Sequence, residues 1–263
     1  YEPKGTAYPK LPALLPNQTH QMDLVGPCYL SGPIRFYGLN VIDTTTARCG
    51  LYTSLSKSGQ DVLNGTWAIW SRLGIPNNLQ VDNAMSFLGS PRYQRALSQF
   101  VRRCLHHDVE AWFVPMAEPW RNGIVEQFND HYQQKFLGKV MMTSVDELRA
   151  GTMAFEQRHN SSYRYSKLGG KTPIKALSAS KATLRFPNPE DNPQQQLKKP
   201  EVGRYHLVRL IRSDLKLNIL GELFPVPPEV KLEYVVATID VKEQKLKLYL
   251  GKTQIDEFGY ELR

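Results

Sequence analysis

Three carboxylates stand in settings where ordinary folding has little use for them. Asp23 lies inside the apolar run QMDLV, on the opposite face from Met22 and Leu24, although strand interiors disfavour Asp. Asp82 closes a second short apolar strand in LQVDNAMSF, and ligands collect at the carboxyl ends of strands in α/β sheets. Glu126 lies one turn into a helix announced by Pro119-Trp120-Arg121-Asn122-Gly123. On that helix Glu126, Asn129, Asp130 and Gln133 share one face, beside an apolar stripe of Val125, Phe128, Tyr132 and Phe136. Taken singly, each acid has a structural reading: an edge-strand Asp facing water, Asp-Asn turn chemistry, a first-turn Glu favoured by the helix dipole. Taken together, in the order strand, strand, helix, they can converge on a hard cation. Two like charges ~4 Å apart at an effective dielectric of ~20 repel by about 4 kcal/mol, so a cluster of three calls for a metal. All-oxygen ligation points to Mg²⁺ or Mn²⁺ rather than zinc. Two such ions, in the arrangement that suits three carboxylates, serve phosphoryl transfer.

The elements that must position these acids are legible in outline. Residues 1–17 read as an extended, Pro-rich N-terminal arm. Three β-rich runs follow at about 19–29, 34–43 and 48–55, punctuated by Gly, Pro and Thr, which predicts an antiparallel meander. Val62, Leu63, Trp67, Trp70 and Leu73 at helical spacing predict a helix over 60–73, stopped by Gly74-Ile75-Pro76. Short strands are expected at 79–82 and 110–114, with a helix at 91–106 between them. Helices at 121–138 and 144–159 complete an α/β domain with a mixed sheet; Ser144 and Glu147 fit a capping box. Residues 187–200, with four prolines, read as a polar linker. Beyond it EYVVATIDV and KLKLYL alternate with period two about a Lys242–Gln244 turn, so 201–263 is expected to be a small antiparallel β-barrel.

The 263 residues carry 33 Lys and Arg against 25 Asp and Glu, a net charge of +8 that favours a polyanionic partner. Residues 1–178 hold +6 of it. From Gln157 to Pro189 there is no acidic residue, whereas Arg158, Arg164, Lys167, Lys171, Lys175, Lys181 and Arg185 interleave with Tyr163 and Tyr165. That mixture suits phosphates and bases. A second basic stretch, Lys198 to Lys216, has six basic residues against two acidic ones. No apolar run approaches the ~18–20 residues of a membrane span. Three scattered cysteines, Cys28, Cys49 and Cys104, exclude a disulfide framework or Cys-based zinc site and read as a reducing, intracellular setting. Asp43 ends its strand at a Thr-rich turn and reads as structural. Gly169-Gly170-Lys171-Thr172 lacks the first glycine of a phosphate loop, Tyr165 standing in its place.

The segments QMDLVGP, LQVDNAMSF and EPWRNGIVEQFN resemble the three signature blocks of the DDE transposase and retroviral-integrase-like catalytic core, in a combination typical of bacterial insertion-sequence transposases. VIDTTTA and the LGGKTPIKAL block add to the resemblance, which covers about residues 18–178 in order. It implies an RNase H-like mixed five-stranded sheet flanked by helices over 18–178, then a linker over 179–200 and a DNA-binding barrel over 201–263. Asp23, Asp82 and Glu126 match the catalytic and metal-ligating triad one for one, with two Mg²⁺ or Mn²⁺ ions as cofactors. Departures are a longer spacing, 43 residues, between Asp82 and Glu126, Ala84 where glycine is frequent, and Asp130 and Gln133 where retroviral members place DNA-contacting lysines. The nearest basic residues are Lys135 and Lys139. Further expected DNA contacts are Asn83, Trp120 (by stacking), Arg121 and Asn122, then Arg158, Arg164, Lys167 and Lys171, and finally Lys198, Lys199, Arg204, Arg209 and Arg212.

The implied function is a polynucleotidyl transferase that cleaves transposon ends and joins them to target double-stranded DNA. It would act as a homo-oligomer on DNA in the bacterial cytoplasm, nucleoid-associated when bound; a helper ATPase is left open. A metal-dependent nuclease without strand transfer and a domesticated DNA-binding protein that does not cut are the alternatives. Because the chain begins at Tyr1, it is expected to be part of a longer protein with an N-terminal DNA-reading domain.

Overall fold

The computed structural model describes residues 7–192 and 194–263, so the first six residues of the expected arm and Pro193 of the expected linker lie outside the described residues. In chain order the strands and helices are β1 (Thr19–Tyr29), β2 (Arg35–Asp43), β3 (Cys49–Ser54), α1 (Gly59–Leu73), β4 (Asn78–Val81), α2 (Met85–Leu88), α3 (Gln99–His106) and β5 (Glu110–Phe113). Then come α4 (Gly123–Tyr132), α5 (Val145–Ser162), α6 (Pro173–Ser180), β6 (Arg204–Leu210), β7 (Lys216–Ile219), β8 (Glu222–Pro225), β9 (Tyr234–Asp240), β10 (Lys245–Leu250) and β11 (Thr253–Gly259). The chain forms two compact units that interleave along the sequence. One takes Pro12–Leu79 and Asn122–Gln195; the other takes Tyr1–Leu11, Gln80–Arg121 and Gln196–Arg263.

In the first unit β1, β2 and β3 form the predicted antiparallel meander, with Asp23 opposite Asn40 and Val41 opposite Gly50. Helix α1 packs closely on β2 and β3. A Cβ on Gly65 would come 2.7 Å from the Tyr52 ring and 2.8 Å from Leu39, so only glycine lets the helix sit there. Asn17 donates to the terminal Leu73 carbonyl at 3.0 Å, and Gly74 takes the positive φ of 92° that ends α1. The predicted capping box of Ser144 and Glu147 starts α5. The apolar stripe of α4 (Val125, Phe128, Tyr132), continued by Phe136 in a π-helical turn over Gln133–Leu137, packs with Leu148 and Phe155 of α5 and with Phe36 and Leu51 of the meander. Strand β3 ends the strand order, yet side chains cover its backbone. Leu51 N–H donates to Glu156 at 2.7 Å, Cys49 exchanges two bonds with Asn160 at 2.9 Å, and Arg72 reaches the Leu51 carbonyl at 2.9 Å while pairing with Glu156. An edge protected in this way does not recruit another strand.

In the second unit β5 pairs in parallel with β6, placing Trp112 beside His206. β6 then pairs antiparallel with β9, and β10 and β11 follow in order, while β7 and β8 form a separate hairpin. The strand order does not confirm the expected separate C-terminal barrel: these strands follow β5 in an order that ends at β11. The reason lies in β6. Tyr205 to Arg209 are buried without alternation, the mark of a strand covered on both faces and paired on both sides. The period-two pattern of β9 and β10 reports an antiparallel pair, not whether a sheet closes. The helix expected over 91–106 is also shorter. Its first half is turn, and α3 starts only where the Ser98 hydroxyl accepts from Val101 N–H at 3.0 Å.

Candidate active site

Asp23 is half-buried in β1, directly across from Asn40 of β2. Asn129 of α4 joins the two: its amide donates to Asp23 Oδ2 at 2.7 Å, and its carbonyl oxygen accepts from Asn40 Nδ2 at 2.8 Å. Glu126 stands one turn before Asn129 on the same helix face, also half-buried. The start of α4 is pinned to the same stretch of β1. Gln21 Oε1 accepts from the N–H groups of Ile124 and Val125 at 3.0 and 3.1 Å, and buried Asn122 donates to the Met22 carbonyl at 2.9 Å. Three consecutive residues of β1, Gln21 to Asp23, thus set both the position and the rotation of the helix that carries Glu126. A cavity of about 180 Å³ lined by Asn40, Asn129 and Asp130 adjoins this network.

Asp82 follows β4 in the second unit. Its Oδ1 accepts from Ala84 N–H at 3.0 Å, an Asx turn that fixes the carboxylate. Asn83 donates to the Val114 carbonyl at 2.6 Å and accepts from Arg209 Nη2 at 3.0 Å, while Val114 N–H donates to the Val81 carbonyl at 3.1 Å. The end of β4 is therefore tied to β5 and β6 on either side of Asp82. Among the described residues no group of three His, Cys, Asp or Glu side chains is gathered into a metal-binding cluster. The donor chemistry of Asp23, Asp82 and Glu126, carboxylate oxygens alone, nevertheless fits a hard divalent cation. Asp43, by contrast, is a turn residue as its sequence setting suggests: it accepts from Thr45 N–H at 3.2 Å and is buried against Thr46.

Residues 107–173, which include Glu126 and Asn129, match the family described as Integrase core domain. Comparison with curated proteins gives no match. Among solved structures, the simian T-cell lymphotropic virus intasome in complex with PP2A regulatory subunit B56 gamma superposes with a TM-score of 0.53 over 99% of this chain and 84% of that one, at 13% identity. The fold is integrase-like. The HTLV-2 integrase catalytic core domain in complex with magnesium, in its dimeric form, aligns with 63% of this chain and 99% of its own at 19% identity and a TM-score of 0.48. Its trimeric form aligns equally at 18% identity and 0.49.

On this integrase-like fold the expected DNA contacts divide. Trp120 is 54% exposed, and Lys135, Lys139, Arg158, Arg164, Lys167, Lys171, Lys198 and Arg212 are exposed as well. Lys199 and Arg204 are exposed but engaged, with the Leu262 carbonyl at 2.7 Å and with Glu110 at 2.9 Å. Four further expected contacts are engaged within the fold. Asn122 is 3% exposed and serves to pin α4. Arg121 is held by Glu118 at 3.0 Å and by the Tyr234 hydroxyl at 3.0 Å, with its guanidinium over the ring of Tyr8. Arg209 is buried and donates to Asn83 Oδ1 at 3.0 Å. Sequence reasoning missed Gln21 and Asn40, whose partners are far away in the chain. Asn129 left a signal: it stands at i+3 from Glu126.

Proposed function

We propose that this protein is a DNA transposase or integrase, a polynucleotidyl transferase that cleaves element ends and joins them to target DNA. The observation that carries the reading is the Asn129 bridge, which ties Asp23 to the helix face of Glu126. Match of residues 107–173 to Integrase core domain and the integrase-like fold support it. Asp23, Asp82 and Glu126 are the residues that would hold two Mg²⁺ or Mn²⁺ ions. What such ions supply when bound is activation of a water or a 3′-hydroxyl and stabilisation of the leaving oxygen in an in-line displacement.

The chain's own residues account for the rest. Asn129 orients the Asp23 carboxylate by donating to its Oδ2. The Asx turn does the same for Asp82 through Ala84. Exposed Lys135, Lys139 and Arg158 in one unit, with Lys198 and Arg212 in the other, hold backbone phosphates, and Trp120 offers a ring for stacking. No side chain acts as a covalent nucleophile in this scheme.

The test is incubation with Mg²⁺ or Mn²⁺ and labelled duplex carrying the element's terminal sequence, comparing the wild type with Asp82→Asn. Joined products are expected from the wild type and none from the variant. Nicks without joining would reassign the protein as a nuclease, and identical behaviour of wild type and variant would remove the enzymatic reading.

A further inference from the structure

A buried guanidinium in the second unit lacks the counter-charge that burial demands. Arg209 of β6 is 8% exposed, and among the described residues no carboxylate pairs with it. Its Nη1 donates to the Val208 carbonyl at 2.9 Å and the Val114 carbonyl at 3.4 Å, and its Nη2 donates to Asn83 Oδ1 at 3.0 Å. These acceptors are neutral. Among the described residues its buried Nε–H has no acceptor. Desolvation alone pushes the group down to about 10 from 12.5. Uncompensated buried charge is costly, and such groups concentrate where a ligand completes them.

Arg209 also lines a cleft of about 310 Å³ whose other charged walls are Arg212, Lys216, Glu118 and Asp214. Glu118 is already neutralised by Arg121 at 3.0 Å and bonded by the Tyr234 hydroxyl at 2.7 Å. That leaves three cations against the one exposed carboxylate of Asp214. The planar fork of a guanidinium matches a phosphate better than any other monoanion-binding side chain does. The cleft is also tied to the turn of Asp82, because Arg209 holds Asn83.

We propose that this cleft is a phosphate subsite, with buried Arg209 as its anchor and Arg212 and Lys216 at its rim, and that its occupant is a backbone phosphate of DNA. The choice of DNA as the source of that phosphate rests on the function proposed above; the phosphate chemistry does not. In this arrangement the phosphate supplies the charge Arg209 lacks and is held within the same short network that orients the residue after Asp82.

Inorganic phosphate is the first probe, titrated at constant ionic strength against chloride while the thermal midpoint is followed. The wild type is expected to gain a phosphate-dependent rise in its midpoint. Arg209→Met should abolish the rise and Arg209→Lys restore part of it, since lysine keeps the charge but not the fork. A purely structural Arg209 would lower the midpoint of both variants and leave the phosphate response in place. Should Arg209→Met fail to fold, the exposed pair Arg212→Gln and Lys216→Gln together should cut the response severalfold. No response in the wild type, or an undiminished one in these variants, overturns the subsite. In a second arm, Arg209→Met should weaken duplex binding by roughly tenfold and make the log–log salt dependence shallower by about one. A wild type stabilised by phosphate but unable to bind duplex DNA would overturn the DNA occupant and the proposed function while leaving the phosphate site standing.

Discussion

Asn129 illustrates how much one residue can decide. It accepts from β2 and donates to the carboxylate of β1, so the orientation of Asp23 depends on the helix that carries Glu126. Asn129→Ala removes the donor to Asp23 without adding charge. DNA binding should be retained, strand joining in saturating Mg²⁺ should fall by roughly tenfold or more, and the Mg²⁺ concentration for half-maximal rate should rise. A change in DNA affinity with no change in Mg²⁺ dependence would assign Asn129 to the nucleic acid instead. The acids themselves should be less forgiving. Asp23→Asn or Glu126→Gln is expected to lower joining by more than about a hundredfold in a gel assay of labelled ends.

At the scale of elements, helix α4 is held at its start by a side chain that no local pattern announces. Gln21→Ala leaves the N–H groups of Ile124 and Val125 without their acceptor and should cost about 1–2 kcal/mol in denaturant unfolding. The β3 edge gives a second case. Glu156→Ala would strip the Leu51 N–H of its acceptor and leave Arg72 without its carboxylate, so a loss of about 3 kcal/mol and a rise in light scattering are expected. What the sequence makes legible follows from range. The meander, α1 and the Ser144 capping box are written in neighbouring residues, and all appear where the pattern places them. The Glu126 face with its apolar stripe was equally readable, because helical spacing is local. The Gln21 cap, the burial of Asn122 and the covering of β3 by Glu156 and Asn160 join residues about a hundred positions apart, and no periodicity reports them. The insertion of β6 beside β5 belongs with these. Its buried stretch includes His206 and Arg209, so no apolar run announces its burial, and its choice of neighbour is no more local.

For the molecule as a whole, charge and acidity set the conditions under which it works. The net charge of +8 and the exposed basic residues predict duplex affinity that falls steeply between low and physiological salt, and a salt-independent affinity would contradict a phosphate-led interface. Stability should also depend on pH. Burial, with the Arg48 charge beside it, holds His20 at about 3, and burial holds His159 at about 4, both against an ordinary 6.5. Each is bound to stay neutral in the fold, with His20 Nε2 3.1 Å from Asn17 Oδ1 and His159 Nε2 3.1 Å from the Ala47 carbonyl. The unfolded chain therefore takes up protons first. Their contribution is complete above about 6.5 and is lost as the pH falls toward about 4, so the thermal midpoint should drop over that window. Burial raises Asp43, which acts in the opposite sense and offsets part of the loss. His20→Gln should flatten the pH dependence.

The metal assignment joins all three scales, and it is open to direct observation. Crystals grown with Mn²⁺ and DNA, measured at the manganese absorption edge, should show anomalous density held by carboxylate oxygens of Asp23, Asp82 and Glu126, and that density should disappear in Asp82→Asn. Manganese bound elsewhere with these three acids left unliganded would contradict a two-ion transferase built on them.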